Sequence, residues 1–225
     1  MKAACSFHAG CLLALLVTSA CAGAAGDGAT LQAKSAATEA PSPSGERHRL
    51  ATGAVVIRPL DFDRNGSHYI GGIATGLVPA TPERVLAAIH DAAALKKMLP
   101  NTKHVALVDS DGASRRIELL QGSSLVQAKY TVELSPDGRP GELGFKLDPS
   151  RPHDIDDVYG YFKVERFDDA RSVVTVAAAV DVGSSFTVML FGKKVQDVIL
   201  STPHKMREYF SRADASTPAM IAANP

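Results

Sequence analysis

Alternating apolar and polar residues predict an antiparallel sheet in the middle of the chain. The alternation is clearest in residues 125–134, where every second side chain, from Val126 to Leu134, is apolar and those between are polar or charged. This period of two is typical of a strand with one dry and one wet face. Six such segments follow one another between turn signals rich in Asp, Gly, Ser and Pro: 103–109, 115–121, 125–134, 142–148, 157–167 and 172–182.

Two earlier segments complete the predicted sheet. Residues 68–78 are apolar enough for a first strand, and three glycines within it predict a bulge or a tight bend. Residues 55–57 predict a short extra strand. We therefore expect about six to seven strands.

Helical spacing appears in three places. Thr81 offers an N-cap before Pro82, and apolar residues at steps of three and four predict a short helix over 82–91. A second short helix follows and must end before Pro100, because the residue ahead of a proline is pushed out of helical geometry. From residue 186 to 210 the apolar side chains again recur at helical steps, which predicts a long helix that the Thr202–Pro203 pair caps and restarts, or kinks.

The order of these elements resembles that of a known superfamily. One strand, two short helices, about six antiparallel strands and a long C-terminal helix are found in the START-like superfamily of helix-grip domains, which includes polyketide cyclases, coenzyme Q-binding proteins and plant pollen allergens. The resemblance covers residues 69–212 and includes the segments 80–85 and 157–162, with Asp91 and Pro100. The chain departs from the pattern at Leu86, where an aromatic residue is frequent, and in lacking a proline before the long helix.

The resemblance implies an α+β helix-grip fold in which a curved antiparallel sheet wraps around the long helix and leaves a cavity for an apolar ligand. If the dry face is concave, these side chains line the cavity: Val126, Ala128, Tyr130, Phe145, Phe162, Val176, Ala178, Met189, Val198, Ile199 and Met206. The same residues would be needed in a plain hydrophobic core.

Three functions remain open at this point. The first is binding or transport of a lipid, quinone or sterol-like molecule. The second is a cyclase or dehydrase-like enzyme of the same superfamily that acts on a polyketide-like substrate with a Tyr or Arg of the pocket. The third is an interaction domain without a cavity. None of them calls for a cofactor or a metal.

Other candidate chemistry is sparse. Residues 153–157 place one imidazole, His153, beside three carboxylates, but the flanking prolines indicate a solvated loop and no second histidine stands at a ligand spacing. His90 and His104 are isolated. Arg116 and Glu118 should share a strand face and form cross-strand ion pairs, whereas Arg115 would be a costly buried charge if it pointed inward.

Composition limits the partners and the number of domains. Lys plus Arg and Asp plus Glu are equal at 24 each, and no basic block appears, so nucleic acid is not an expected partner. Residues 51–212 suffice for one domain, and residues 213–225 are predicted to be a flexible tail.

The first 21 residues have the layout of an export signal. They contain all three cysteines of the chain, Cys5, Cys11 and Cys21, and an apolar run, 11–17, follows Lys2. The run is far shorter than the roughly 20 apolar residues of a membrane-spanning helix, and small residues follow it, as in a secretory signal peptide. We therefore expect this leader to be removed and the protein to be exported.

Two cleavage sites compete. The sequence of residues 18–21, Thr-Ser-Ala-Cys, resembles the bacterial lipoprotein motif, although Thr18 stands where leucine is usual. Cleavage there would leave a lipid-modified Cys21 as the first residue of a membrane-anchored periplasmic protein, whereas a cut after Ala22 would release a soluble one. Residues 22–50 are rich in Ala, Gly, Ser, Thr and Pro, which predicts a flexible linker.

Overall fold

The structure is a computed structural model that describes residues 43–124, 126–183 and 185–215. For residues 43, 185–191 and 214–215 it describes the backbone alone. The predicted leader, with Cys21, and most of the predicted linker lie outside the described residues, so those assignments stay predictions.

The described strands form one antiparallel sheet of eight strands in the order β1-β2-β8-β7-β6-β5-β4-β3. Their bounds are β1 (Val56–Arg64), β2 (Ser67–Val78), β3 (Thr102–Asp111), β4 (Ser114–Gly122), β5 (Gln127–Pro136), β6 (Glu142–Leu147), β7 (Asp157–Arg166) and β8 (Ser172–Asp181). The α+β class and the antiparallel meander are confirmed, and the strand count is slightly higher than predicted.

The difference lies at one edge of the sheet. β1 runs for nine residues, not three, and pairs along its whole length with β2. The full length of β1 is not evident from its sequence, because most of its side chains are exposed and it includes Pro59. An edge strand tolerates a proline, since one side of its backbone has no hydrogen-bond partner.

The two short helices are α2 (Pro82–His90) and α3 (Ala92–Met98). The Thr81 hydroxyl accepts from the backbone N–H of Arg84 at 3.5 Å, and the Asp91 carboxylate accepts from the N–H of Ala94 at 2.7 Å. Each helix thus has a side-chain cap for its otherwise unpaired N–H groups. α3 ends before Leu99, whose backbone is extended, as predicted from the proline that follows.

A helix also forms within the segment that we predicted to be linker. α1 (Pro43–Ala51) lies at the end of residues 22–50, and Leu50 is its buried apolar residue. Arg47 stacks on the Phe167 ring at 4.3 Å and donates to the Phe167 carbonyl at 3.1 Å. With so little apolar periodicity, this segment carries no signal for a helix.

The predicted long helix is divided into α4 (Ser185–Leu200) and α5 (Thr202–Ala215), with the break at Ser201. The restart at Thr202–Pro203 is confirmed. α5 also runs three residues into the segment predicted to be tail.

The break lies directly on β2, at two glycines. A Cβ added to Gly72 would come within 2.6 Å of Leu200 Cδ2, and one added to Gly76 within 2.8 Å of Pro203 Cβ. β2 pairs in regular register with both neighbours, so the predicted bulge is wrong. These glycines instead let the helices approach the strand closely.

Side-chain hydrogen bonds hold both helices to the same strand. Gln196 Nε2 of α4 donates to the carbonyl oxygens of Leu60 and Gly71 at 3.1 and 2.9 Å. Arg207 Nε of α5 donates to the Leu77 carbonyl at 2.9 Å. The helices are therefore fixed over the β1–β2 side of the sheet.

A cluster of buried apolar side chains lies where α2, α3 and α5 meet the sheet. Val85, Ile89 and Met98 are fully buried there, and Met206 and Phe210 of α5 belong to the same apolar cluster. Met206 was predicted to line a cavity; it is 1% exposed and packed within this cluster, because its turn of α5 faces α3 and the sheet.

Candidate functional site: an apolar cavity

A cavity of about 700 Å³ lies between the sheet and the C-terminal helices. Strands β4 to β8 supply most of its wall, α3 and the loop between β6 and β7 supply parts of its rim, and the C-terminal half of α4 covers it. Its volume is in the range of sites that take drug-sized ligands.

Most of the wall is apolar. The side chains in this group come from strands, helices and the loops that connect them: Leu95, Leu99, Ile117, Leu119, Val126, Ala128, Val132, Leu134, Phe145, Ile155, Val158, Phe162, Val176, Ala178, Val180, Val182, Val195, Val198 and Ile199. Together with Tyr130, this surface includes nine of the eleven residues predicted to bind a ligand. Met206 lies in the core instead, and the Met189 side chain is outside the described residues. The role of the nine in binding stays a prediction.

Small residues create part of the empty volume. Gly160 pairs with Phe145 on one side and with Ala178 on the other. A Cβ at Gly160 would come within 2.6 Å of Phe145 Cζ, so the aromatic ring lies over the glycine. The Phe145 and Phe162 rings pack at a centroid distance of 5.4 Å, and both line the cavity together with the small side chain of Ala178.

Two polar side chains on this wall, Tyr130 of β5 and Gln121 of β4, bond to each other: the Tyr130 hydroxyl donates to Gln121 Oε1. Burial raises the pKa of the Tyr130 phenol well above its usual range. The phenol is therefore neutral at physiological pH and a weak acid.

The remaining polar groups cluster at the ends of strands and helices, where the cavity meets the surface. They are Asn101, Ser123, Gln127, Asp154, Lys194, Asp197, Ser201, Thr202 and Lys205. Several of them already have partners: for example, Asp154 accepts from the Lys129 N–H at 2.8 Å, and Lys205 pairs with Glu208 at 2.9 Å. The cavity thus combines an apolar interior with a polar rim.

Sequence reasoning missed the contribution of β4 and α3. Ile117 pairs with Val132 and Leu119 pairs with Tyr130, so they extend the apolar face that was recognised on β5. The alternation of apolar and polar residues along β4 would have indicated this contribution once β4 was paired with β5. Which residues of α3 reach the rim depends on the position of that helix against the sheet. The sequence of α3 alone does not determine this position.

The other candidate chemistry has structural explanations. His153 Nδ1 lies 2.7 Å from the Ile155 carbonyl oxygen, and among the described residues no group of His, Cys, Asp or Glu is arranged to hold a metal ion. Arg115 points inward, where it donates to the His90 carbonyl at 3.0 Å. A cation at the C-terminal end of α2 is stabilised by the helix dipole.

The predicted cross-strand ion pairs also form, each with a partner on a neighbouring strand or loop. Arg116 pairs with Asp109 at 2.9 Å and with Asp148 at 3.2 Å, and Glu118 pairs with Lys129 at 3.0 Å. These groups belong to the wet face of the sheet.

Within the described part of the chain, no helix is both long and apolar enough to cross a membrane. No protein-family model matches the chain, and no curated protein sequence does so either.

Solved structures do match. A STAR-related lipid transfer protein from Xanthomonas axonopodis (fragment 25–204) is 14% identical, with a TM-score of 0.57 over 71% of this chain and 98% of that chain. A protein from Thermus thermophilus is 19% identical, with a TM-score of 0.54 over 64% and 98%. The Zhui aromatase/cyclase from Streptomyces sp. R1128 is 10% identical, with a TM-score of 0.53 over 75% and 100%.

At these identities the likeness concerns architecture alone. The antiparallel sheet and the helices of this chain superpose on those of the matched proteins over nearly the whole length of each matched chain. The chain therefore has the START-like helix-grip fold.

Proposed function

We propose that this protein binds one hydrophobic small molecule, a lipid or a quinone- or sterol-like compound, in the cavity and shields it from water. The observation that carries the proposal is a space of about 700 Å³ whose interior wall is apolar and whose polar groups gather at the rim. An empty apolar space of this size is costly to a fold, because its lining loses packing contacts. A ligand of matching size restores them.

The affinity would come mainly from desolvation. Burying about 400 Å² of apolar ligand surface at about 25 cal/mol per Å² contributes about 10 kcal/mol before the cost of immobilising the ligand. That is enough for tight binding with only one or two polar contacts. The wall offers such contacts at Tyr130 and Gln121.

The competing proposal is a cyclase-like enzyme, and it is favoured by one observation, a tyrosine within the cavity. Against it, the Tyr130 proton is donated to Gln121 and its pKa is raised by burial, so the phenol is poorly suited to protonate a substrate at neutral pH. A ligand-binding role requires neither proton transfer nor a nucleophile. The cavity itself argues against the third candidate, an interaction domain with a solid core.

We also propose that the protein is exported and tethered through a lipid on Cys21. This part rests on the sequence of the leader. With the 21 residues 22–42 between Cys21 and α1, a flexible linker would span roughly 25 Å. Such a tether would keep the cavity close to the membrane surface, where an apolar ligand is concentrated.

The direct test is native mass spectrometry of gently purified full-length protein, followed by solvent extraction of any co-purified molecule. We expect an adduct with the mass of a lipid-like compound and, after its removal, binding of a fluorescent apolar probe. Ala178→Phe, which projects a ring into the cavity, should abolish both signals. Ala113→Phe, the same change at an exposed turn residue, should leave them intact. A protein that is empty and also rejects lipids, quinones and apolar probes would refute the proposal.

The tether has a separate test. Labelled fatty acid should attach to the wild-type protein and not to Cys21→Ser, and the variant should leave the membrane fraction. Equal membrane association of the two forms would remove the tether and leave a soluble carrier.

A further inference from the structure

A chain of hydrogen bonds crosses one end of the cavity wall. The Tyr130 hydroxyl donates to Gln121 Oε1, Gln121 Nε2 donates to Thr102 Oγ1 at 2.9 Å, and the Thr102 hydroxyl donates to the Pro100 carbonyl oxygen at 3.2 Å. It links β5, β4 and β3 to the segment that follows α3.

The last acceptor in this series of hydrogen bonds, the Pro100 carbonyl oxygen, determines which group donates in each of the other bonds. A main-chain carbonyl can only accept, so the single proton of Thr102 is used on Pro100. The Thr102 oxygen then accepts from the amide nitrogen of Gln121, which turns the amide oxygen toward Tyr130. The Tyr130 hydroxyl must donate to that oxygen, because two acceptors cannot bond to each other.

This direction decides what a ligand meets. The only proton of the Tyr130 hydroxyl is taken, so its oxygen can bond a ligand solely as an acceptor. Gln121 keeps a second amide N–H, which can donate. The wall residues beside this pair on β4 and β5, Leu119 and Ala128, are apolar.

We propose that the cavity selects ligands that carry a hydroxyl group over ligands of the same shape whose oxygen is a carbonyl. A hydroxyl can donate to Tyr130 and accept from Gln121, whereas a ketone or quinone oxygen can accept from Gln121 but cannot bond to Tyr130, because both oxygens are acceptors. This inference rests on the proposed function and narrows its ligand class to alcohols of the lipid or sterol type. Losing the single hydrogen bond to the buried Tyr130 oxygen costs the ketone about tenfold in affinity relative to the alcohol.

The test compares 2-dodecanol with 2-dodecanone, which share a carbon skeleton and differ only in hydroxyl or carbonyl, and uses dodecane as the apolar baseline. Each competes with the fluorescent apolar probe N-phenyl-1-naphthylamine for purified full-length protein. We expect the alcohol to displace the probe at about tenfold lower concentration than the ketone.

Two substitutions should remove this preference. Gln121→Met keeps the length of the side chain but removes the acceptor, so the Tyr130 proton becomes available to the oxygen of either ligand and the affinities for alcohol and ketone should become similar. Thr102→Val frees the amide to rotate and should bring the two affinities together. Glu118→Gln, on the opposite face of β4, is the matched control and should leave the ratio unchanged.

The outcomes separate the two proposals. Equal affinities for alcohol and ketone in the wild type, or a ratio that neither Gln121→Met nor Thr102→Val changes, would overturn the hydroxyl selectivity while leaving hydrophobic binding intact. Failure of the probe and of all three C12 compounds to bind would refute the proposed function as well.

Discussion

Enlarging a side chain on the cavity wall should stabilise the ligand-free protein. Ala128 lies on β5 with its side chain toward the cavity. Ala128→Leu adds three carbon atoms that enter existing space. At about 0.8 kcal/mol per buried CH₂ the gain is at most about 2.4 kcal/mol, and ordering the leucine costs about 0.5 to 1 kcal/mol. We therefore expect the free energy of unfolding to rise by about 1.5 kcal/mol.

Urea unfolding measures this change. The chain has no tryptophan, so far-UV circular dichroism is the suitable signal. The midpoint should shift upward with an unchanged slope, since the surface exposed on unfolding hardly differs. Ala113→Leu at the exposed turn between β3 and β4 is the matched control, and it should stay within about 0.5 kcal/mol of the wild type.

The opposite sign would refute the reasoning. In a filled core the same enlargement forces neighbours apart and costs about 1 to 3 kcal/mol. A destabilised Ala128→Leu variant, with Ala113→Leu unaffected, would mean that the wall of β5 is packed and that no ligand-sized space exists beside it.

Three further predictions concern packing, capping and pH. Met206→Ala should lower the free energy of unfolding by about 2 to 5 kcal/mol in urea titration, since this side chain is 1% exposed; a loss below about 1 kcal/mol would contradict its place in the core. Asp91→Ala should cost about 1 kcal/mol, because the carboxylate caps α3 at the N–H of Ala94, and thermal unfolding of Asp91→Asn should show much of the loss restored. The hydrogen bond from Ser150 at 2.5 Å lowers the pKa of Asp148 below its ordinary 3.8, so this carboxylate stabilises the fold above pH 3.8 and the contribution is lost as pH falls through the lower folded value. Stability measured against pH should show Asp148→Asn weaker than wild type at neutral pH, with the difference vanishing in acid; a constant difference would exclude the charge as its cause.

Much of the fold could be predicted because its strands alternate cleanly. β5 gives the clearest example: its period of two separates Tyr130 and Val132 from Lys129 and Thr131, and the structure places the first pair on the cavity wall. The caps of α2 and α3 likewise depend on local residue chemistry, which a sequence displays directly.

One element, α1, was missed and another, β1, was predicted too short, because their determinants lie elsewhere in the chain. α1 buries mainly Leu50, and β1 is an exposed edge strand, so neither carries an apolar period. The same limit applies to the cavity. Alternation identifies the face of a strand but not the distance between that face and the helix above it, which is why Met206 could be assigned to the wall although it lies in the core.

The two glycines of β2 have a consequence for how this architecture can diversify. Gly72 and Gly76 seat the break between α4 and α5 on one side of the sheet, whereas strands β4 to β8 supply most of the ligand-facing wall. The strand that holds the C-terminal helices is thus largely distinct from the strands that enclose a ligand, although all of them belong to one sheet. Substitutions on β4 or β5 can therefore change the surface that a ligand meets without altering the contacts that hold α4 and α5 on β2.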